Sequence, residues 1–328
     1  MSSHSHPFDA LTPDVILDAV DSVGLRSDGR LLALNSYENR VWQVGIEDDL
    51  PIVAKFYRPR RWTDAQILEE HAFARELADA EVPVVAPLAF GERTLFEHAG
   101  FRIALWPRRG GRAPELDRGD VLEWIGRFIA RLHAVGSRDR FEAREKLRVQ
   151  RMAQEPRDFL LGNGFIPASL VESYRSVADL AIESIEAVFE RVGPCRQLRL
   201  HGDCHAGNVL WTDAGPHFVD LDDAITGPAV QDLWMLLSGD RETQESQLRA
   251  VLAGYEVFRE FDRVELLLIE ALRTMRMMHY AGWLARRWDD PAFPATFQWF
   301  NTQRYWEDHV LALREQVGAM DEPGLAPD

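Results

Sequence analysis

The chain has 328 residues, 46 % of them hydrophobic and 27 % charged, which suits a folded protein with two cores and excludes a disordered or fibrous chain. Its 37 basic and 53 acidic side chains leave a formal charge of −16, a surface that repels nucleic-acid phosphates and anionic lipid, so neither nucleic acid nor membrane is an expected partner.

Two cysteines, Cys195 and Cys204, allow at most one bridge; none is expected, and the sparse usage fits a reducing compartment. The opening MSSHSHPFDALTPD lacks the cationic and apolar regions of a signal peptide. The apolar stretch 266–288 is broken by Glu270, Arg273, Arg276 and Arg286 and cannot span a bilayer without burying charge. A cytoplasmic monomer is the expectation.

In chain order, LLALNSY, RVWQVGI and PIVAKFY are short β-branched and aromatic runs separated by polar turns, and read as strands. One helix is expected in this part, with Thr63 as N-cap and Ile67, Leu68, His71, Phe73 and Leu77 as its stripe. Pro83 and Pro87 end it, and TLFEH and FRIALW supply two further strands. After Trp106 comes a Gly/Pro-rich linker, 107–116, whose Gly110-Gly111 pair is a candidate hinge. Beyond it Val121, Leu122, Ile125, Phe128, Ile129 and Leu132 mark a helix, and further helices are expected over 145–192 and 228–318. Residues 198–220 interrupt them as loop and short strands, and the end, MDEPGLAPD, reads as a frayed tail. The expected class is therefore α+β in two lobes: 1–106 with a small antiparallel sheet and one main helix, 107–116 as linker, and 117–328 mostly helical. A cleft between lobes would have the β insert as its floor.

The densest chemistry is His201-Gly202-Asp203-Cys204-His205-Ala206-Gly207-Asn208, followed by a strand and Asp220. Phosphoryl transfer needs positioning and charge neutralisation more than covalent chemistry. One carboxylate must take or orient the acceptor's proton, and an amide oxygen with a second carboxylate must hold Mg²⁺ against the phosphates. Asp203, Asn208 and Asp220 supply those groups, the hairpin returning the chain to its start. A zinc site from His201, Cys204 and His205 is the alternative, but a fourth ligand at suitable spacing is missing. Singly, Asp203 and Asn208 could also be turn-formers.

Lys55, between apolar neighbours in the third strand, could be an edge residue pointing to water. Paired with Glu70 of the helix, it could instead reach the α- and β-phosphates. Glu69 competes for that role; if Glu70 shares a face with Phe73 and Leu77, Glu69 points more to solvent. The loop LNSYENR, 34–40, lies where a phosphate-covering loop belongs but has no glycine; Ser36 could contact phosphate there, or the loop could be a plain polar hairpin. Asp232 is expected to anchor the backbone of the catalytic loop, and His133 to be a packed helix-end residue. The run MRMMHYAGWLARRW reads as core with a basic edge.

HGDCHAGN, VDLDD and GPAVQD resemble the aminoglycoside phosphotransferase and choline kinase superfamily. Together with LNSYENRVW and VAKFYRPRRWTDAQILEEH they are similar to the RdoA-like group of bacterial stress response kinases, over nearly the whole chain. The resemblance implies a protein-kinase-like fold and an ATP- and Mg²⁺-dependent serine/threonine protein kinase, capable of autophosphorylation and linked to stress survival. It implies Asp203 as proton acceptor, Asn208 and Asp220 as Mg²⁺ ligands, and Ser36 and Lys55 in the nucleotide site. Composition and spacing by themselves reach a phosphotransferase site. Only seven residues separate Asp220 from Pro228, too few for a long activation loop and its peptide platform. A small-molecule kinase acting on an amino alcohol, sugar or aminoglycoside is therefore the competing reading. Acidic residues lining a closed pocket would favour a cationic acceptor, and the Asp222-Asp223 pair is compatible with either.

Overall fold

Alternation along three short strands decides what the small lobe buries. The structure, a computed structural model, describes residues 6–327. A helix, α1 (Pro13–Asp21), precedes the strands β1 (Ser27–Ala33), β2 (Arg40–Ile46) and β3 (Ile52–Phe56). After α2 (Asp64–Asp79) come β4 (Phe96–His98) and β5 (Phe101–Pro107), and the five strands form one antiparallel sheet in the order β1-β2-β3-β5-β4. Ile52, Ala54 and Phe56 point to one face, where they pack with Ile16, Val20 and Ile103. Period two then sends Val53 and Lys55 to the opposite face, with Val41 and Ala104 beside Lys55 in register.

The expectation of one helix in this lobe was incomplete. Thr12 accepts the N–H of Val15, Pro13 opens the helix, and Ile16, Ala19 and Val20 are buried against the sheet. Those start signals are present in LTPDVILDAV.

Helix α2 begins with the expected Thr63, in a reciprocal capping box with Gln66. Its inner face buries Ile67, Glu70, Phe73 and Leu77. Its outer groups are fastened to the large lobe. Glu69 accepts the backbone N–H of Glu142, Ala143 (3.0 Å) and Arg144 (2.7 Å), and Gln66 donates to the Ala143 carbonyl at 3.1 Å. Glu76 takes both guanidinium nitrogens of Arg199, at 3.1 and 2.7 Å. Arg131 bonds the Ala80 carbonyl at the helix end, at 2.9 Å. Glu69 is thus a loop cap and not the solvent-facing residue expected from spacing.

The large lobe is built on α3 (Gly119–Gly136), α4 (Glu155–Gly162) and α5 (Val171–Val192). A β insert follows: β6 (Leu198–Leu200), the hairpin β7 (Val209–Thr212) and β8 (Gly215–Phe218), and β9 (Ile225–Gly227), which pairs with β6. The helices α6 (Arg241–Tyr255), α7 (Ile269–Arg286), α8 (Ala292–Thr296) and α9 (Gln303–Asp321) complete it. Helices α3 and α6 cross closely because Gly126 and Gly254 face each other's backbones; a Cβ on either would stand 2.0 Å from the Val251 oxygen or 1.9 Å from the Glu123 oxygen.

Three other expectations change. Residues 229–236 are short 3₁₀ turns, not the start of a long helix, because Gln231 and Asp232 hold the loop after β6 through Gly202 and His201. The C-terminal segment is docked at its start: Arg241 bonds the carbonyls of Pro323 (2.9 Å) and Gly324, and Met320 is buried. In the linker, Arg112 exchanges two backbone hydrogen bonds with Trp211, at 3.0 and 2.7 Å, and a Cβ on Gly111 would meet the Leu210 Cβ at 2.8 Å. Gly111 therefore serves close approach to Leu210 and is not a free hinge position. Among the described residues no helix is long and apolar enough to cross a membrane.

Candidate active site

A cavity of about 660 Å³ lies between the lobes, with the β insert on its floor and the sheet face carrying Lys55 as its roof. Its chemistry starts from how the loop after β6 is held. Asp232, fully buried, accepts the backbone N–H groups of His201 and Gly202, both at 2.8 Å. His133 Nε2 meets the same carboxylate at 3.1 Å, and its Nδ1 meets the Tyr255 hydroxyl at 2.9 Å. Gln231 donates to the Gly202 carbonyl at 3.0 Å. Two buried donors on one carboxylate fix the loop's course, so Asp232 is the expected anchor and His133 its packed support.

The loop then turns Asp203 and Asn208 into the cavity. Asn208 Nδ2 donates to the Asp203 carbonyl at 2.9 Å, which leaves the amide oxygen as its remaining functional atom. The Val219 N–H donates to the Asn208 carbonyl at 3.0 Å, tying the end of the hairpin back to its beginning. The next residue, Asp220, has φ 60° and ψ 66°, a left-handed turn that Asp tolerates and that lifts its carboxylate toward the roof. There it accepts from Lys55 Nζ at 2.8 Å. Hard oxygen donors from one amide and one carboxylate, with room left for phosphate oxygens and water, suit Mg²⁺. A soft-metal site is disfavoured: His201 Nε2 bonds the Val219 carbonyl at 3.0 Å, and burial pushes the Cys204 thiol well above its ordinary range, with Asp232 and Asp203 adding to it.

Lys55 is buried and placed differently from the expected Lys–Glu pairing. Its ion pairs are with Asp220 and, at 3.8 Å, Asp222; no pair with Glu70 lies within 4.0 Å. Burial lowers its pKa, but Asp220, Asp222 and Glu70 outweigh that and hold it above the ordinary value. Glu70 does face inward beside Phe73 and Leu77, with one carboxylate oxygen lacking a hydrogen bond. Burial pushes its pKa up to about 7 against the pull of Lys55. A carboxyl raised in the folded state adds stability that is present below its ordinary pKa and is lost as pH rises through about 7. Glu70→Gln is therefore expected to gain thermal stability relative to wild type between about pH 5.5 and pH 8. Melting temperatures of both proteins across that range check this; a difference that does not change with pH contradicts it.

Ser36 sits in the glycine-free loop over the cavity, its hydroxyl donating to the Asn39 carbonyl at 2.9 Å. Asn39 is buried and accepts the Arg58 N–H at 3.0 Å while donating to Asp222 at 3.1 Å. Glu38 spans to the large lobe, accepting from Trp283 Nε1 and from Arg287 Nε at 3.0 Å. The loop is thus ordered by side chains where glycines would have served.

The sequence offers Asp222 only as one of an acidic pair and Arg276 only as a charge within an apolar run, and the structure gives both a place in the site. Asp222, buried, joins Lys55, Arg61 and Asn39. Burial would raise its pKa, but Arg61, Lys55 and Arg144 hold it well below the carboxylate range. Arg276 bonds Asp203 Oδ1 at 2.6 Å. Burial opposes ionisation of Asp203, yet the His205 hydrogen bond and the Arg276 charge hold it well below the usual range. The basic edge of MRMMHYAGWLARRW is therefore part of the cavity wall. The spacing of Met275, Arg276, His279, Tyr280 and Trp283 along one stripe carried that signal.

Comparison with known proteins adds to this geometry. The profile of the phosphotransferase enzyme family matches residues 30–267. Stress response kinase A of Escherichia coli K12 is 47 % identical over 325 residues, covering 99 % of this chain and 98 % of that protein. The serine/threonine protein kinase RdoA of Salmonella typhimurium is 45 % identical over 325 residues, covering 99 % and 98 %. Among solved structures, an amicoumacin kinase in complex with AMP-PNP, Ca²⁺ and its ligand superposes with a TM-score of 0.71 at 16 % identity, covering 96 % of this chain and 95 % of that one. A microcompartment-associated aminopropanol kinase reaches 0.70 at 18 % identity, covering 96 % and 100 %. The two-lobed α+β fold is shared with these enzymes.

Proposed function

The chain belongs to the phosphotransferase enzyme family and is a kinase, and from that premise we propose that it moves the γ-phosphate of ATP to Ser or Thr hydroxyls of proteins, itself included, in a cytoplasmic stress response. The observation that carries the transfer chemistry is the meeting of Asp203, Asn208, Asp220 and Lys55 in one cavity between the lobes. The protein acceptor draws its support from the serine/threonine protein kinase at 45 % identity over nearly the full chain.

In this reading Lys55 exchanges Asp220 for the nucleotide's α- and β-phosphates, and Ser36 lies over the phosphates. Asn208 and Asp220 hold Mg²⁺, which when bound neutralises charge on the transferring group. Asp203 orients the acceptor hydroxyl and takes its proton as the oxygen bonds to phosphorus. Glu70 contributes negative charge behind Lys55.

A second reading, a small-molecule kinase, is favoured by one feature. The seven residues between Asp220 and Pro228 form a 3₁₀ turn and β9, with no peptide platform. The test is transfer from γ-labelled ATP with Mg²⁺, offering a Ser/Thr-rich protein and, separately, amino alcohols, sugars and aminoglycosides. Label on protein is the expected result. ATP consumed only with the small acceptors would replace the first reading with the second.

A further inference from the structure

The carboxylates on the cavity wall are mostly paired with cations of the same wall. Seven carboxylates line the cavity: Glu38, Glu70, Glu145, Asp203, Asp220, Asp222 and Asp223. Six of them already have an arginine or lysine within 4.0 Å. The seventh, Glu70, is buried beneath Lys55. Each carboxylate on the wall apart from Glu70 thus has part of its charge offset by a cation already in place. Among the cations of the wall that are ion-paired to its carboxylates, two also keep donors exposed. The Arg276 side chain bonds Asp203 yet remains 41 % exposed, and the Arg151 side chain, paired with Glu145 at 2.9 Å, remains 37 % exposed. They come from different elements: Arg276 from α7, and Arg151 from the single π-helical turn Gln150–Gln154 ahead of α4. A π turn widens the helix locally and is a common device for re-aiming side chains at sites. His279 lines the same cavity, and its pKa falls to about 4, first through burial and then through Arg151, Arg286 and Arg276. A neutral imidazole there offers a hydrogen bond without adding to the positive charge.

We propose that Arg276 and Arg151 form an anion-binding subsite for the acceptor, so that the hydroxyl phosphorylated is one beside an acidic group: on a protein, a Ser or Thr flanked by Asp or Glu. The proposal rests on the protein-kinase reading above. Without acceptor, Arg276 occupies the proton-accepting carboxylate. A guanidinium fork has donors enough for two carboxylates, but Asp203 must turn its oxygen to the incoming hydroxyl. An acidic neighbour on the substrate draws the fork away and frees that oxygen. The hydroxyl oxygen then bonds to the γ-phosphorus, the bond from phosphorus to the bridging oxygen of ADP breaks, and the hydroxyl proton passes to Asp203. Arg276 is thus both a selectivity element and a positioning residue for Asp203.

The experiment uses the full chain, γ-labelled ATP and three serine peptides that differ only in Glu, Gln or Lys flanks. The wild-type kcat/KM is expected to be about tenfold higher with Glu flanks than with Gln flanks, the worth of one charge-assisted contact. Arg276→Gln and Arg151→Gln are expected to bring that ratio to about one. Because each ratio is taken within one variant, general damage cancels. Arg151→Glu is expected to turn the preference toward Lys flanks, a gain that misfolding cannot produce. Equal use of the three peptides by wild type, or an undiminished preference in the variants, overturns the inference and leaves the protein-kinase reading standing. If wild type labels no peptide or protein, that reading falls. The comparison then moves to alcohols bearing a carboxylate or phosphate against alcohols bearing an amine. Preference for the anionic set keeps the subsite; preference for the amines, or no transfer to either, removes it.

Discussion

Asp203→Asn is expected to bind Mg·ATP as wild type does and to turn over about 10²–10⁴-fold more slowly, the usual cost of losing a general base. The amide keeps the shape of the carboxylate and its place in the loop, which Asp232 fixes through the His201 and Gly202 N–H groups. It can no longer take a proton, and its NH₂ would face Arg276, a donor that now bonds Asp203 at 2.6 Å. Because Arg276 and His205 hold Asp203 well below the ordinary carboxylate range, wild-type activity should not fall off through protonation of this group anywhere in the mildly acidic to neutral range. Single-turnover transfer rates beside an ATP-binding titration separate the two effects. A variant that turns over at the wild-type rate removes Asp203 from the chemistry; one that loses ATP binding assigns it to the nucleotide.

Asp220→Asn is expected to weaken Mg·ATP binding and turnover together, turnover by about 10² or more, since it removes charge from both the metal and Lys55. Asn is the suitable replacement because the position is left-handed, φ 60°, and Asn tolerates that backbone better than Ala. It leaves Lys55 buried without its 2.8 Å partner, so the lysine's remaining ion pair is the 3.8 Å contact with Asp222. Titration of ATP with and without Mg²⁺ is the check. Wild type should bind the magnesium complex more tightly than free ATP, and the variant should lose that difference. A variant that keeps it would move the metal to other ligands.

Both residues are legible from the same short stretch of sequence. Asp203 and Asn208 are five positions apart on one loop, and Asp220 closes the hairpin that follows, so local spacing was enough. Lys55 was legible for a similar reason: strand alternation puts it opposite Ile52, Ala54 and Phe56. The partners of these groups were another matter. Arg276 lies 73 positions from Asp203, and Asn39 lies 183 from Asp222; nothing in a short window couples them. Lys55 met the carboxylates after β8 and not the helix glutamate because Glu70 packs under the sheet with the apolar face of α2. Helix α1 was missed although its cap and proline were written plainly, since the N-terminal residues were read for targeting and not for a helix start.

The fastening of α2 bears on how the enzyme is governed. Glu69, Gln66, Glu76 and the Ala80 carbonyl join it to the large lobe at four points along its length. The same helix is tied to the sheet side through Arg102 on Asp64 at 2.9 Å and through His71 on Tyr57 and Thr94, both at 2.8 Å, so it bridges the two lobes. It cannot be swung outward by a partner or a modified loop without breaking all of these contacts together. A change in the angle between the lobes would therefore have to pass through α2, straining its contacts on both sides at once.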